Sequence, residues 1–379
     1  MKRYDVIVVG GGPAGVSAAK ASGKTGAKTL LLEKAPAIMA NKPCGQAVSQ
    51  ETLQTAEVKP DPTIVLHRAY AIVYAPNLNY VKIDRIGFLI DKSRLLQYIA
   101  AQAAEYGVEI HVREEALDVK IEDGSVKVKT NRGEYEANVV VGADGYNSTV
   151  ARSLGVTEKS EPIPTLQYVM VNCSIRYPDA VRFFLGNNVA PGGYAWIFPQ
   201  NEKIAEVGIG VRGAPAKEYL DAFVKRFSDE LGKAQIIDYR GAPVPIGGLI
   251  GELVKDRVVL IGDAAGTVIP LTGAGIHSSI AAGLAAGKIA AEAALDGDVS
   301  RERLSEFYTL YKPWIDRIKK SLKVMRALEK MNDNELNLLA EILSDQDILD
   351  LANGLDILRV ARKLAAHPIF AVKLVRAIT

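Results

Sequence analysis

YDVIVVGGGPAG, Tyr4 to Gly15, is the stretch that decides the fold. Its first half is a compact β-branched run, as suits a strand buried on both faces of a parallel sheet. Gly10, Gly12 and Gly15 follow in G-x-G-x-x-G spacing and open a helical stretch through about Gly26, after which TLLLEK reads as a second strand ending at Glu33. The three glycines have distinct physical roles. Gly10 makes the tight turn, Gly12 lets the backbone approach a pyrophosphate, and Gly15 admits close helix–strand packing. The helix start, with Ala14, supplies amide donors and a positive dipole end for the phosphates. Glu33, about 20 residues on, can accept both ribose hydroxyls, with Lys34 beside it. A lone glycine motif is often an ordinary turn. Between two strands, with the acid in place, it points to an adenine dinucleotide without separating FAD from NAD.

The chain has 379 residues, 48% hydrophobic and 24% charged, enough for a large core and two or three domains, and not a disordered composition. With 46 basic against 44 acidic residues, a net charge of +2, there is no electrostatic case for a nucleic-acid partner. The two cysteines, Cys44 and Cys173, have neither metal-ligand spacing nor a disulfide framework, which suggests a reducing, cytoplasmic compartment. His67, His111 and His367 show no ligand spacing either, so no metal is expected. The apolar N-terminal run is short and leads into glycines, as a strand does and a signal peptide does not. Ala264 to Gly287 contains no Asp, Glu, Lys or Arg and is long enough to span a bilayer. Gly266, Pro270, Gly273 and Gly275 interrupt its first half, however, so a Gly/Pro turn running into an Ala-rich helix explains it better.

Two later stretches separate FAD from NAD. VVVGADGYNSTVAR (Val139 to Arg152) is a strand ending in Gly142, Asp144 and Gly145, and DRVVLIGDAAG (Asp256 to Gly266) is another ending in Gly262 and Asp263. An acid at the C-terminal end of a buried strand lies where an open α/β sheet binds its ligand. The Asp263 carboxylate can bond a ribityl hydroxyl, while the amides of Gly275 and Ile276, after Gly273 at the next helix start, can face a flavin ring. Asp144 or Asp263 alone also reads as a helix cap. Together with the N-terminal motif, the pair resembles the FAD-dependent oxidoreductases of the glutathione-reductase-like, aromatic-hydroxylase type. That resemblance implies an α/β fold: a Rossmann-like FAD-binding domain, an antiparallel-sheet substrate domain and a C-terminal helical region. It also implies that Arg94, in IDKSRLLQYIAAQAAEYGVEI, opens a helix near the FAD, and that Ala116 meets the adenine.

Within that group the chain is most similar to the geranylgeranyl reductases, including archaeal enzymes that saturate digeranylgeranylglycerophospholipids. The residues carrying the resemblance are KPCG (Lys42 to Gly45) and YAWIFPQNEKIAEVGIG (Tyr194 to Gly210), which reads Y-x-W-x-F-P, eight residues, then G-x-G. Gln46 stands where relatives commonly have glycine or aspartate. The resemblance implies that Cys44, Gly45 and Ala47 lie against the flavin, with Cys44 as the candidate reacting-face thiol. Lys42 nearby would favour its thiolate. Alternation places Tyr194, Trp196 and Phe198 on one strand face, an aromatic wall suited to a polyprenyl chain, though such stripes are common in ordinary sheet cores. His277, at the helix start, is a candidate proton donor or a capping histidine. The implied activity is reduction of isolated C=C bonds by hydride from reduced FAD, with an external donor: ferredoxin, a deazaflavin or a nicotinamide. The rivals are a flavin monooxygenase or halogenase and a non-catalytic prenyl-binding escort.

The flavin domain reads as discontinuous, 1–60, 88–155 and 250–300, with 61–87 and 156–249 as the antiparallel sheet and a helix over 215–232. From 301 to 379 the pattern is helical, with runs at 301–329, 333–342 and 345–366 and an interruption at Pro368. Arg359, Arg362, Lys363, Lys373 and Arg376 follow Asp356 without an acidic residue. Such a tail is either a membrane-surface helix or a solvated basic face.

Overall fold

The computed structural model describes residues 2–40, 42–122, 124–367 and 370, so the expectations placed on Pro368, Lys373 and Arg376 lie outside the described residues. Two sheets organise the chain. The first runs in the order Val254–Lys255, Val258–Leu260, Glu134–Gly142, Lys2–Val9, Thr29–Glu33, Glu109–Val112. Lys2–Val9 pairs in parallel with both Thr29–Glu33 and Glu134–Gly142, and Val6 to Val8 are fully buried. That double burial is what the uninterrupted β-branched run encodes.

The second sheet runs in the order Gln235–Pro245, Pro162–Val171, Ile204–Gly210, Tyr194–Pro199, Ala180–Phe184, Val65–Tyr74, Tyr80–Ile90, Ala47–Val48. It is antiparallel as expected, except that Ala180–Phe184 pairs in parallel with Val65–Tyr74. These strands come from segments far apart in the chain, so no hairpin imposes an antiparallel join between them. The stretch between Glu33 and Ala47 therefore leaves one sheet and enters the other, placing Cys44 at their junction.

The Pro13–Lys24 helix packs on the Ile276–Asp296 helix through glycine: a Cβ at Gly283 would sit 2.2 Å from the Ala14 carbonyl oxygen, and one at Gly287 2.1 Å from that of Ala18. The uncharged stretch from Ala264 is thus a turn leading into a core helix. Among the described residues, no helix is long and apolar enough to cross a membrane.

In the second sheet one face carries Ala195, Ile197, Phe184 and Tyr168 under the Ala216–Arg226 helix, whose Leu220 and Phe223 are buried. The opposite face carries Trp196, Phe198 and Val181, covered by Ile348 and Leu349 of the Asp345–Asn353 helix. The run expected over 345–366 breaks at Gly354, whose φ is +65°, with the backbone of Arg317 so close that a Cβ would lie 2.5 Å from its carbonyl oxygen. A second helix follows at Ile357–Ala365.

Candidate active site

At the glycine turn the physical roles assigned to each position are visible. A Cβ at Gly15 would lie 1.7 Å from the Gly10 carbonyl oxygen, whereas one at Gly12 would meet nothing within 4 Å. Gly12 therefore opens onto free space at a helix N-terminus that no side chain caps. Glu33 accepts from the Gly11 amide at 2.6 Å and the Ala35 amide at 2.7 Å, leaving lone pairs on both carboxylate oxygens for two hydroxyls. Lys34 is exposed next to it, and Ala14 touches the position where Gly262 turns. Gly275, the N-cap of the Ile276–Asp296 helix, is also uncapped by any side chain, and Gly273 before it has φ +64°. Two uncapped helix starts and an open glycine cradle fit the pyrophosphate and ring of an FAD.

The two aspartates divide. Asp144 accepts from Ser148 Oγ at 2.6 Å and from the amides of Thr149 and Val150 at 2.6 and 3.1 Å, so it caps the Thr149–Ser153 helix; burial nonetheless pushes its carboxyl up. What this corner presents to a cofactor is the Gly145 backbone, at φ +82°. Asp263 is available, and Lys42 Nζ donates to it at 3.1 Å while lying 2.8 Å from where a Gly145 Cβ would be. Lys42 thus spans the two strand ends. It is paired with Asp263, not with Cys44 as the sequence suggests. Arg94 is exposed on the Lys92–Glu105 helix, with no side-chain partner among the described residues, and Ala116 is buried at the start of its strand.

The Cys44 loop is held on the aromatic face of the second sheet, one contact per strand. The Arg240 guanidinium donates to the Ala40 carbonyl at 2.7 Å; Gln167 Oε1 accepts from the Cys44 amide at 3.1 Å; Gly45 lies so close to Phe198 that a Cβ would be 2.1 Å from its ring; and the Gln46 side-chain amide donates to Glu206. The register explains the set: Arg240, Gln167, Gly208 and Trp196 form one cross-strand row, and Val169, Glu206 and Phe198 the next. Glu206 also accepts from Gln167 at 3.1 Å and Gln200 at 3.2 Å. Burial pushes its carboxyl up to about 7, against the pull of the amide donors, Arg240 and Lys92.

Tyr194, Trp196 and Phe198 share one face, closed by Phe183 at 5.5 Å from Tyr194 and 5.0 Å from Phe198. The Trp196 indole lies over Gly208, where a Cβ would be 2.2 Å from the ring, which gives the G-x-G its physical meaning. Its Nε1–H is buried without a partner, an orphaned donor on the face toward the Cys44 loop. Tyr194 donates to the Thr272 carbonyl at 2.5 Å, tying the strand to the turn before Gly273. Burial and the nearby Cys44 push its phenol up, so it stays a neutral donor.

The comparisons with known proteins agree with this geometry. Residues 5–157 match the FAD dependent oxidoreductase model, and residues 162–244 match the geranylgeranyl reductase catalytic domain. A digeranylgeranylglycerophospholipid reductase of Methanocaldococcus jannaschii is 34% identical over 378 residues, covering 95% of this chain and 94% of the relative. Digeranylgeranylglycerophospholipid reductase 2 of Methanopyrus kandleri is 32% identical over 382 residues, covering 96% of each. This chain belongs to the digeranylgeranylglycerophospholipid reductase family. It is an FAD-dependent oxidoreductase. The crystal structure of a geranylgeranyl bacteriochlorophyll reductase-like protein from Thermoplasma acidophilum is 30% identical, covers 100% of both chains and has a TM-score of 0.89. A flavin-dependent brominase, at 16% identity and a TM-score of 0.74 over 93% of this chain and 94% of its own, shares the fold.

Two expectations left two-sided by the sequence are narrowed in this reductase-family chain. His277 Nε2 is paired with Thr55 Oγ1 at 2.8 Å, and its ring packs edge-on against Trp314. Burial and Arg317 push the imidazole down to about 4, which, with the Thr55 and Trp314 contacts, favours the packed-histidine alternative over the proton donor. In the C-terminal helix, Arg359 bonds Asp347 and Asp350, and Lys363 bonds Asp347, each at 2.5 to 2.6 Å. Two of the described tail cations therefore pair within the fold while staying partly exposed, and the helix packs on the domain through Ile357, Val360 and Leu364, as the solvated-basic-face alternative has it. No metal-binding cluster occurs among the described residues. Sequence reading missed Gln167, Glu206 and Arg240, because Gln167 and Glu206 are single polar residues in largely apolar strands, Arg240 sits beside Asp238 in a mixed one, and only the cross-strand register brings the three under one loop.

Proposed function

We propose that this reductase saturates isolated double bonds in the geranylgeranyl chains of an archaeal-type ether phospholipid. The observation that carries the reading is the aromatic face of Tyr194–Pro199, whose Phe198 packs against Gly45 of the Cys44 loop and whose Trp196 keeps a buried, unpartnered Nε1–H. Bound FAD, once reduced, supplies the hydride. An isolated alkene has no carbonyl to polarise, so the protein acts by position and by excluding water. Phe183, Phe198 and Trp196 hold the chain flat, and Tyr194 keeps the Thr272–Gly275 turn in place. Cys44 lies at that face, its amide held by Gln167 and its thiol near Tyr194, and we assign the thiol protonation of the second alkene carbon. Asp263 and Lys42 bind the ribityl and phosphate side, Glu33 the ribose. The electron donor is external, a ferredoxin, a deazaflavin or a reduced nicotinamide. We place the enzyme at the membrane surface transiently, through exposed Leu358 and Arg362 on one face of the Ile357–Ala365 helix and exposed Leu355 in the turn before it.

The test is anaerobic. The purified protein is reduced with dithionite and mixed with a digeranylgeranylglycerol phospholipid, and flavin absorbance is followed with lipid mass. The expected result is flavin reoxidation together with a gain of H2 per reduced bond, abolished or strongly slowed in Cys44→Ala. Flavin that stays reduced until air is admitted would refute the reading and favour oxygen chemistry, which the brominase-like fold also supports.

A further inference from the structure

The sheet beneath the Cys44 loop carries a buried carboxyl that the reaction as proposed does not use. Glu206 is 4% exposed, faces the same way as Phe198, and receives side-chain amides from three glutamines on three separate segments. Two of them lead to the loop. Gln167, 2% exposed, holds the Cys44 amide with its oxygen while its nitrogen is held by Glu206. Gln46, in the left-handed region at φ +59°, gives its nitrogen to Glu206 and takes the Lys92 amide with its oxygen at 2.8 Å. A glutamine amide is ambivalent about which end faces which partner, because its oxygen and nitrogen are near-isosteric. As a carboxylate, Glu206 offers acceptors on both oxygens, and with three glutamine nitrogens turned to it the ambiguity is removed. With both glutamine nitrogens turned toward the carboxyl, both oxygens must point at backbone N–H groups, one of them that of Cys44.

We propose that Glu206 is a positioning residue of the reductase: by orienting Gln167 and Gln46 it pins the Cys44–Gln46 loop on Phe198 and so fixes where the thiol sits over the reacting face. The inference rests on the function proposed above. It also accounts for Gln46 holding a positive φ, since its side chain bridges Glu206 to the start of the Lys92–Glu105 helix.

The test uses the FAD-loaded full chain and two readouts. Hydrogen exchange of the peptide spanning Lys42 to Val48 reports the loop without any substrate, and lipid reduction reports kcat and KM separately. Glu206→Gln presents an amide nitrogen where the glutamines require an acceptor, and Gln46→Ala cuts the tether from the loop side, so a folding failure of the first leaves the second to decide. The expected result in each is exchange at 42–48 faster by at least tenfold, kcat lower by at least tenfold, lipid KM within threefold and FAD content unchanged. Exchange within twofold of the parent, or faster exchange with kcat within twofold, would overturn the proposal. If the parent enzyme reduces no lipid, the reaction assignment and the catalytic half of this inference fall together, while the exchange data still decide whether Glu206 holds the loop.

Discussion

Gly283→Ala sets two physical effects of opposite sign against each other. On helix propensity alone, replacing a mid-helix glycine by alanine stabilises by about 1 kcal/mol. In the fold, the new Cβ would stand 2.2 Å from the Ala14 carbonyl oxygen and 2.8 Å from Ser17 Cβ. The Ala14 atom is backbone in a helix and cannot rotate away, so the two helices must part by about 1.2 Å to restore ordinary contact, at a cost in the upper part of the overpacking range, about 2–3 kcal/mol. The clash wins, with a net loss of about 1–2 kcal/mol. For a chain of 379 residues the unfolding entropy is large, so this lowers the melting temperature by only about 1–3 °C. The functional readout is larger: parting the helices displaces the Gly12–Gly15 turn relative to Gly262–Asp263, and FAD should bind about tenfold more weakly, equivalent to about 1.4 kcal/mol. The assays are urea unfolding of the FAD-free protein and FAD titration by fluorescence. A midpoint at or above the parent's, with FAD affinity within twofold, would refute the reasoning.

Gly12→Ala is the converse case. Its Cβ meets nothing within 4 Å, so stability should change by no more than about 0.5 kcal/mol while FAD affinity falls by tenfold or more; unchanged affinity would move the pyrophosphate elsewhere. Trp196→Phe removes the orphaned Nε1–H but keeps a ring over Gly208. Losing one ligand hydrogen bond of about 1 kcal/mol should weaken lipid or FAD binding about fivefold, and separate titrations showing both within twofold would exclude a ligand contact. His277 has a folded pKa of about 4 against 6.5 unfolded, so the stability it contributes is present above pH 6.5 and is lost as pH falls from 6.5 toward 4. His277→Gln should remove that part of the acid sensitivity, read by unfolding midpoints across the range, and leave kcat between about pH 6 and 8 unchanged; a lost limb in that profile would restore the histidine to the chemistry.

The aromatic stripe illustrates how much was legible in the chain. Period-two alternation placed Tyr194, Trp196 and Phe198 together, and the structure gives them one face with Ala195 and Ile197 on the other. The helix start at Asp91, whose side chain caps Arg94, and the glycine turn were equally plain, since both depend on neighbours a few residues away. Asp144 was ambiguous for the same reason: a cap and a cofactor ligand look alike until the acceptors are counted. The basic tail stayed open between two readings because its counter-charges, Asp347 and Asp350, lie on a different helix.

By itself the sequence determined the dinucleotide strand, turn and acid, the doubly buried parallel strands and the aromatic face, because backbone propensity and side-chain alternation act over a few residues. Only the tertiary structure decided that Lys42 answers Asp263 and not Cys44, that His277 packs between Thr55 and Trp314, and that Arg240, Gln167 and Glu206 converge beneath one loop. Those outcomes depend on cross-strand register and on the burial that one sheet imposes on another, and neither quantity exists until the separate segments have been brought together.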